Sequence, residues 1–150
     1  MKKFIFILMA AIFLSSTAIA QTQKIASAKE MHALTEKFTG LLFNQKSAEA
    51  FDLLKPYWPQ PAYQIDALRE TTAKQIKLLE DNFGVLLGYE FASSETIGNF
   101  GHVETFVLKY EKNALRIYII YYNSGSGWIV NSLLWDDRWD YLFEHDLKSK

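Results

Sequence analysis

The rhythm of apolar residues changes once along this chain, near Val85, and that change orders everything else. Upstream, Met31, Leu34, Phe38, Leu41 and Leu42 recur at helical spacing, as do Leu68, Thr72, Ile76 and Leu79. Downstream, residues alternate or run apolar and are enriched in Tyr, Val, Ile and Phe, the pattern of pleated strands. Helices first and strands afterwards predict an α+β fold, with N-terminal helices packed on a curved four-stranded antiparallel sheet.

Local signals set the boundaries. Ser27 and Glu30 form a capping box, so a first helix begins there and ends near Asn44. Ser47 opens a second, short helix carrying Phe51, Leu53 and Leu54. Pro56 stops it, and Pro59 and Pro61 keep 57–62 extended. A third helix is expected from Ile65 or Asp66, closed by Gly84. Strands are expected over about 85–93, 102–111, 115–122 and 128–135. The connections between them are short and rich in Gly and Asn, which implies a meander of hairpins.

A two-residue turn at Lys112 and Asn113 would set Glu111 opposite Ala114. One sheet face then carries His102, Glu104, Phe106, Leu108, Tyr110, Leu115, Ile117, Ile119 and Tyr121. The other carries Val103, Thr105, Val107, Lys109, Arg116, Tyr118, Ile120 and Tyr122. Only the first is apolar enough to lie under helices. For the last strand, a five-residue loop puts Ile129, Asn131, Leu133 and Trp135 on that covered face. A four-residue loop would put Trp128, Val130, Ser132 and Leu134 there instead. The first is preferred, because it seats Leu133 and Trp135 over the core.

The first twenty residues have the pattern of a cleaved signal peptide: Lys2 and Lys3, an apolar run, then Ala18-Ile19-Ala20 before Gln21. The run is shorter than the roughly 20 apolar residues that span a bilayer. Export to a periplasm or the medium is therefore expected, with residues 21–150 forming one domain and no membrane attachment after cleavage. The chain has no Cys, so disulfides, thiolate metal sites and Cys nucleophiles are excluded. Two of its 16 basic residues lie in the leader, which leaves 14 against 17 acidic ones, a net charge of about −3. Without a basic patch, nucleic acid is not an expected partner.

Three helices followed by a bent antiparallel sheet, over about 27–135, resemble the cystatin-like, nuclear transport factor two-like superfamily in the order and length of elements. The resemblance implies a cone whose concave face holds a ligand pocket. Its members include isomerases, dehydratases, binding modules and small exported domains. No catalytic role transfers residue by residue.

The candidate site residues follow from the faces. His102 and Glu104 lie two apart on one strand and point the same way, with Tyr121 across from them. They read either as an acid–base pair or as a wet polar strand end. A Glu sealed in the core would need a partner, so that end is expected to be a solvent-open rim or a pocket mouth. Asn131 is expected beside it, with Trp58 and Tyr63 forming an aromatic lip or, more plainly, a packed connector. His32 and His145 are too distant in sequence to suggest metal ligation, and neither a metal nor another cofactor is expected. Tyr118, Ile120, Tyr122 and Trp128 make an outer face too apolar for water, fit for a homodimer or for cover by the C-terminal segment. That segment, 136–146, is read as a closing helix or a docking element. Taken together, these features point to a non-catalytic exported module that binds a small apolar ligand or a protein partner. The alternative is a small acid–base enzyme (isomerase, lyase or hydrolase) using His102, Glu104 and Tyr121.

Overall fold

Helix α1, Ala28–Phe43, begins where Ser27 accepts a bond from the backbone N–H of Glu30, and the Glu30 carboxylate reaches back to the N–H of Ala26. The computed structural model describes residues 22–143, so the expected leader, His145 and the end of the 136–146 segment lie outside the described residues. Helix α2 spans Ser47–Leu54 and runs into a 3-10 turn, Lys55–Tyr57. Helix α3 spans Ala62–Phe83 and starts three residues earlier than expected. Pro61 caps it with φ −56°, a value already suited to entering a helix, so the proline starts the helix rather than delaying it. Gly84 ends α3 with φ +83°, a conformation that suits glycine.

Four strands follow: β1 Leu86–Ile97, β2 Gly101–Tyr110, β3 Ala114–Asn123 and β4 Trp128–Asp136. They pair in chain order as an antiparallel, curved meander with the helices packed against it. A 3-10 turn, Trp139–Phe143, follows β4. It stands where a closing helix or a docking element was expected. Among the described residues no helix is long and apolar enough to cross a membrane.

The β2–β3 faces are as the sequence predicts, but the partners are not. Lys109 pairs with Ala114 and Leu108 with Leu115, two residues away from the expected register. The hairpin tip is held by the α3–β1 connection: Glu111 N–H donates to Val85 O, Lys112 N–H to Phe83 O, and Val85 N–H to the Glu111 carboxylate. These bonds occupy residues that a two-residue turn would have paired across the strand. A slip of two preserves the faces.

Strand β4 combines both loop alternatives. Asn123 pairs with Trp128, so the loop has four residues, and Trp128 and Val130 face the helices. Asn131 is then an extra, bulged residue, since Tyr121 pairs with Val130 but Ile120 with Ser132. Beyond it Leu133 and Trp135 also face the helices, opposite Ile119 and Ile117. The four-residue loop corrects the expected inward placement of Asn131 and outward placement of Trp128, and the bulge returns Leu133 and Trp135 to the covered face.

One core joins the two layers. Phe38, Leu42, Phe51, Leu54, Ile65 and Ile76 from the helices meet Leu108, Leu115, Ile117 and Ile119 from the sheet. Phe38 and Phe51 pack edge to face at 5.5 Å between centroids.

Candidate functional site

The polar end of the covered sheet face is neither an open rim nor a pocket mouth. Alternation along β2 points His102 and Glu104 inward together, and they are 5% and 2% exposed. His102 Nε2 lies 2.8 Å from one Glu104 oxygen. The other oxygen lies 2.9 Å from His32 Nδ1, brought over by α1. Strand β1 runs four residues past its expected end and sets Thr96 opposite His102, with its hydroxyl 2.7 Å from His102 Nδ1. An ionised carboxylate only accepts, so both imidazoles donate to it, and the Thr96 hydroxyl can serve the remaining His102 nitrogen as donor or acceptor. The result is a chain, Thr96–His102–Glu104–His32, that answers the cost of burying a carboxylate. Its two ends are open to solvent: Thr96 is exposed, and the His32 side chain is 40% exposed. The His32 ring packs against Phe91 at 4.9 Å and Phe106 at 5.4 Å.

Tyr121 faces the same core from β3 but joins a different set of bonds. It lies opposite His102 rather than Glu104, as the register slip requires. Its hydroxyl is 2.7 Å from Thr35 Oγ1 and donates to Met31 O at 3.1 Å. Burial pushes the phenol above its usual range. The Thr35 bond opposes that rise and the Glu104 charge adds to it. Sequence reasoning missed His32, Thr35 and Thr96. The first two sit on α1 among apolar residues, and a polar residue on a buried helix face was the available signal. Thr96 carried none, because Ser93, Ser94 and Glu95 before it read as the end of a strand.

The other expected pocket residues lie elsewhere. Trp58 and Asn131 come together, without His102, on a cleft of about 320 Å³ between the edge of β4 and the first turns of α3. Ile65, Leu68 and Leu133 supply its apolar walls, and Gln60, Gln64 and Ser132 line it as well. Among the described residues no ionisable side chain lines it. Tyr63 is 70% exposed and touches neither site; its hydroxyl accepts a bond from Gln64.

Against family models, curated proteins and solved structures, the chain matches none. Its chemistry is therefore read from its own geometry. Among the described residues no group of three His, Asp or Glu side chains could hold a metal. His32, Glu104 and His102 form a line of hydrogen bonds through opposite carboxylate oxygens, not a convergent set.

The outer sheet face is partly covered by the turn after β4. Arg116 forms a two-pronged pair with Asp136 at 2.8 and 3.1 Å. The Tyr118 hydroxyl donates to the same carboxylate at 3.3 Å. Burial raises the Asp136 carboxyl, but the bonds from Arg116 and from the Arg138 backbone outweigh it and hold the group below the usual carboxylate range. Arg138 stacks on the Tyr141 ring at 3.8 Å. Ile120 is half-buried, Tyr122 is 43% exposed, and Trp128 has left this face for the inner one, 6.1 Å from the His102 ring.

Proposed function

We propose that this chain is an exported, non-catalytic binding module of cystatin-like architecture that acts on a protein partner. One observation carries the reading. At the end of the sheet where such a cone would open for a substrate, His102, Glu104 and Tyr121 are buried and fully engaged with one another's neighbours. A general base must reach the proton it takes, and these groups are already bonded to partners within the fold: His32, Thr96, Thr35 and the Met31 carbonyl. What the molecule does offer outward is a sheet edge beside an uncharged cleft. Small apolar ligands remain within the same reading only if they enter at that cleft.

The test is native mass spectrometry of the protein purified from its own host, with the chain also located by cell fractionation. A stoichiometric polypeptide adduct on a species beginning at Gln21, found outside the cytoplasm, is the expected result. An uncleaved species held in the membrane would end the export reading, and a small-molecule adduct protecting His102 would end the non-catalytic one. The second reading, a small acid–base enzyme, draws on Glu104 standing between two imidazoles with His32 at the surface. It requires a converted substrate that wild type produces and His32→Gln does not.

A further inference from the structure

The outer sheet face carries a cleft of about 520 Å³, between the sheet and the 3-10 turn that follows β4. Thr105 and Arg116 form its floor, Ser93 lies on its β1 side, and Tyr141 and Leu142 come from the turn above. Its size falls within the roughly 300–1,000 Å³ of small-molecule sites. It shares no residue with the Thr96–His102–Glu104–His32 chain or with the Trp58 cleft.

Thr105 is the unusual member. Alternation along β2 turns it to the outer face, between Ser93 and Tyr118, and it is only 6% exposed. Among the described residues its hydroxyl has no hydrogen-bond partner, and neither has that of Ser93 or Tyr141. Ser93 and Tyr141 are exposed, so water serves them. The Thr105 hydroxyl is mostly withdrawn from water, yet it is not sealed off as the Trp58 indole nitrogen and the Tyr110 hydroxyl are. A hydroxyl in that position lacks a partner that a molecule entering the cleft can supply.

The charges narrow the chemistry of that molecule. Arg116 already holds both oxygens of Asp136 through Nε and Nη2. The pair is neutral, so the guanidinium has no charge left to balance an anion. Its Nη1 protons bond nothing among the described residues and remain to donate to a neutral oxygen. Glu95, also in the lining, adds an acceptor and a negative charge that turns anions away. An apolar ligand would leave Thr105 unpaired. Hydroxyls that both donate and accept, a donating guanidinium edge and an accepting carboxylate suit a neutral ring bearing several hydroxyls. Val103 and Leu142 offer apolar surface to its C–H groups. From these observations we propose that the cleft binds a neutral saccharide, with one sugar hydroxyl on Thr105 and another on the Nη1 edge of Arg116. This site goes beyond the protein-partner reading above and stands independently of it.

The probes are free pentoses, hexoses and N-acetylhexosamines and the methyl glycoside of each. They are titrated into 15N-labelled protein expressed from the full-length sequence and followed by two-dimensional NMR. The expected result is saturable shifts at the amides of Ser93, Thr105 and Arg116 with a millimolar sugar. Binding kept by the methyl glycoside marks the end of a glycan as the source, and binding lost marks a free sugar. Thr105→Val keeps the shape and removes the hydroxyl, and should weaken the sugar about fivefold, the equivalent of one hydrogen bond. The same variant should leave the urea midpoint unchanged or raise it, because no internal bond is lost. A lowered midpoint would show the hydroxyl bonded within the fold and would overturn its place in a site. Undiminished binding by Thr105→Val would overturn the assignment as well. So would silence of these amides with every sugar, or inorganic phosphate moving them at lower concentration than any sugar does.

Discussion

Replacing His102 with Ala should destabilise the protein far more than replacing His32, although both bond the same carboxylate. His102 is 5% exposed, so its removal leaves one oxygen of the buried Glu104 facing a void. Leaving a buried acceptor unsatisfied costs about 1–3 kcal/mol, and more when it is charged. His32 has a 40% exposed side chain, so water can take its place on the other Glu104 oxygen. Its removal should cost about 1 kcal/mol, near the net worth of a single hydrogen bond. A domain of this size has roughly 5–15 kcal/mol in all, so His102→Ala should consume a large share. The assay is urea unfolding followed by tryptophan fluorescence and by far-ultraviolet circular dichroism, comparing midpoints at unchanged slope. Equal costs for the two variants, or a cost below about 1 kcal/mol for His102→Ala, would refute the view that this chain of bonds ties α1 to the sheet. A His102→Ala variant more stable than wild type would point to a group kept at the expense of stability for chemistry.

Other perturbations test separate parts of the structure. Burial, with the Glu80 charge adding, pushes the Tyr110 phenol to about 12, and its hydroxyl has no hydrogen-bond partner. The unfolded chain loses this proton near pH 10 and the folded one later, so stability should fall as pH rises from about 10 to 12. Tyr110→Phe should remove part of that alkaline loss and cost nothing at pH 7, as thermal melts at both pH values would show. The depressed Asp136 carboxyl implies the opposite window, with its contribution present above about pH 4 and lost on acidification. Asp136→Asn should cost about 1 kcal/mol at pH 7 and flatten the acid limb of a pH–stability curve. Gly84→Ala combines a positive φ with a clash against the Glu111 side chain, and should lower the urea midpoint by the equivalent of about 1–3 kcal/mol. If the outer face forms a two-fold pair, Tyr122→Asp should halve the mass seen by light scattering; an unchanged mass disposes of that interface.

Much of the fold was legible because burial imposes periods. The capping box at Ser27, the stripe through Thr72 and Ile76, and the two faces of β2 and β3 follow from spacing alone. Apart from the start of α3, which Pro61 sets locally, the misreadings depended on contacts between residues distant in sequence. The β2–β3 register slipped because Phe83 and Val85 claim the hairpin tip. Strand β1 outran its expected end because Ser94 and Thr96 pair with Glu104 and His102. The inward pair His102 and Glu104 was visible from alternation, but its sealing partner His32, 72 residues before Glu104, was not. Trp58 and Asn131 were singled out for other reasons, and meet at a cleft that no local pattern announces.

The extra residue at position 131 gives β4 a property that a regular strand lacks. Its two halves answer to different clients, Trp128 and Val130 closing over His102 and Tyr121, and Leu133 and Trp135 backing onto Ile119, Ile117 and the third helix. A change of identity at Asn131 alters one exposed amide, whereas its removal would force one half to turn its large side chains to water. Chain length is therefore held more tightly at this point than chemistry, and a descendant that loses the residue must rewrite either the 128–130 stretch or the 132–135 stretch at once.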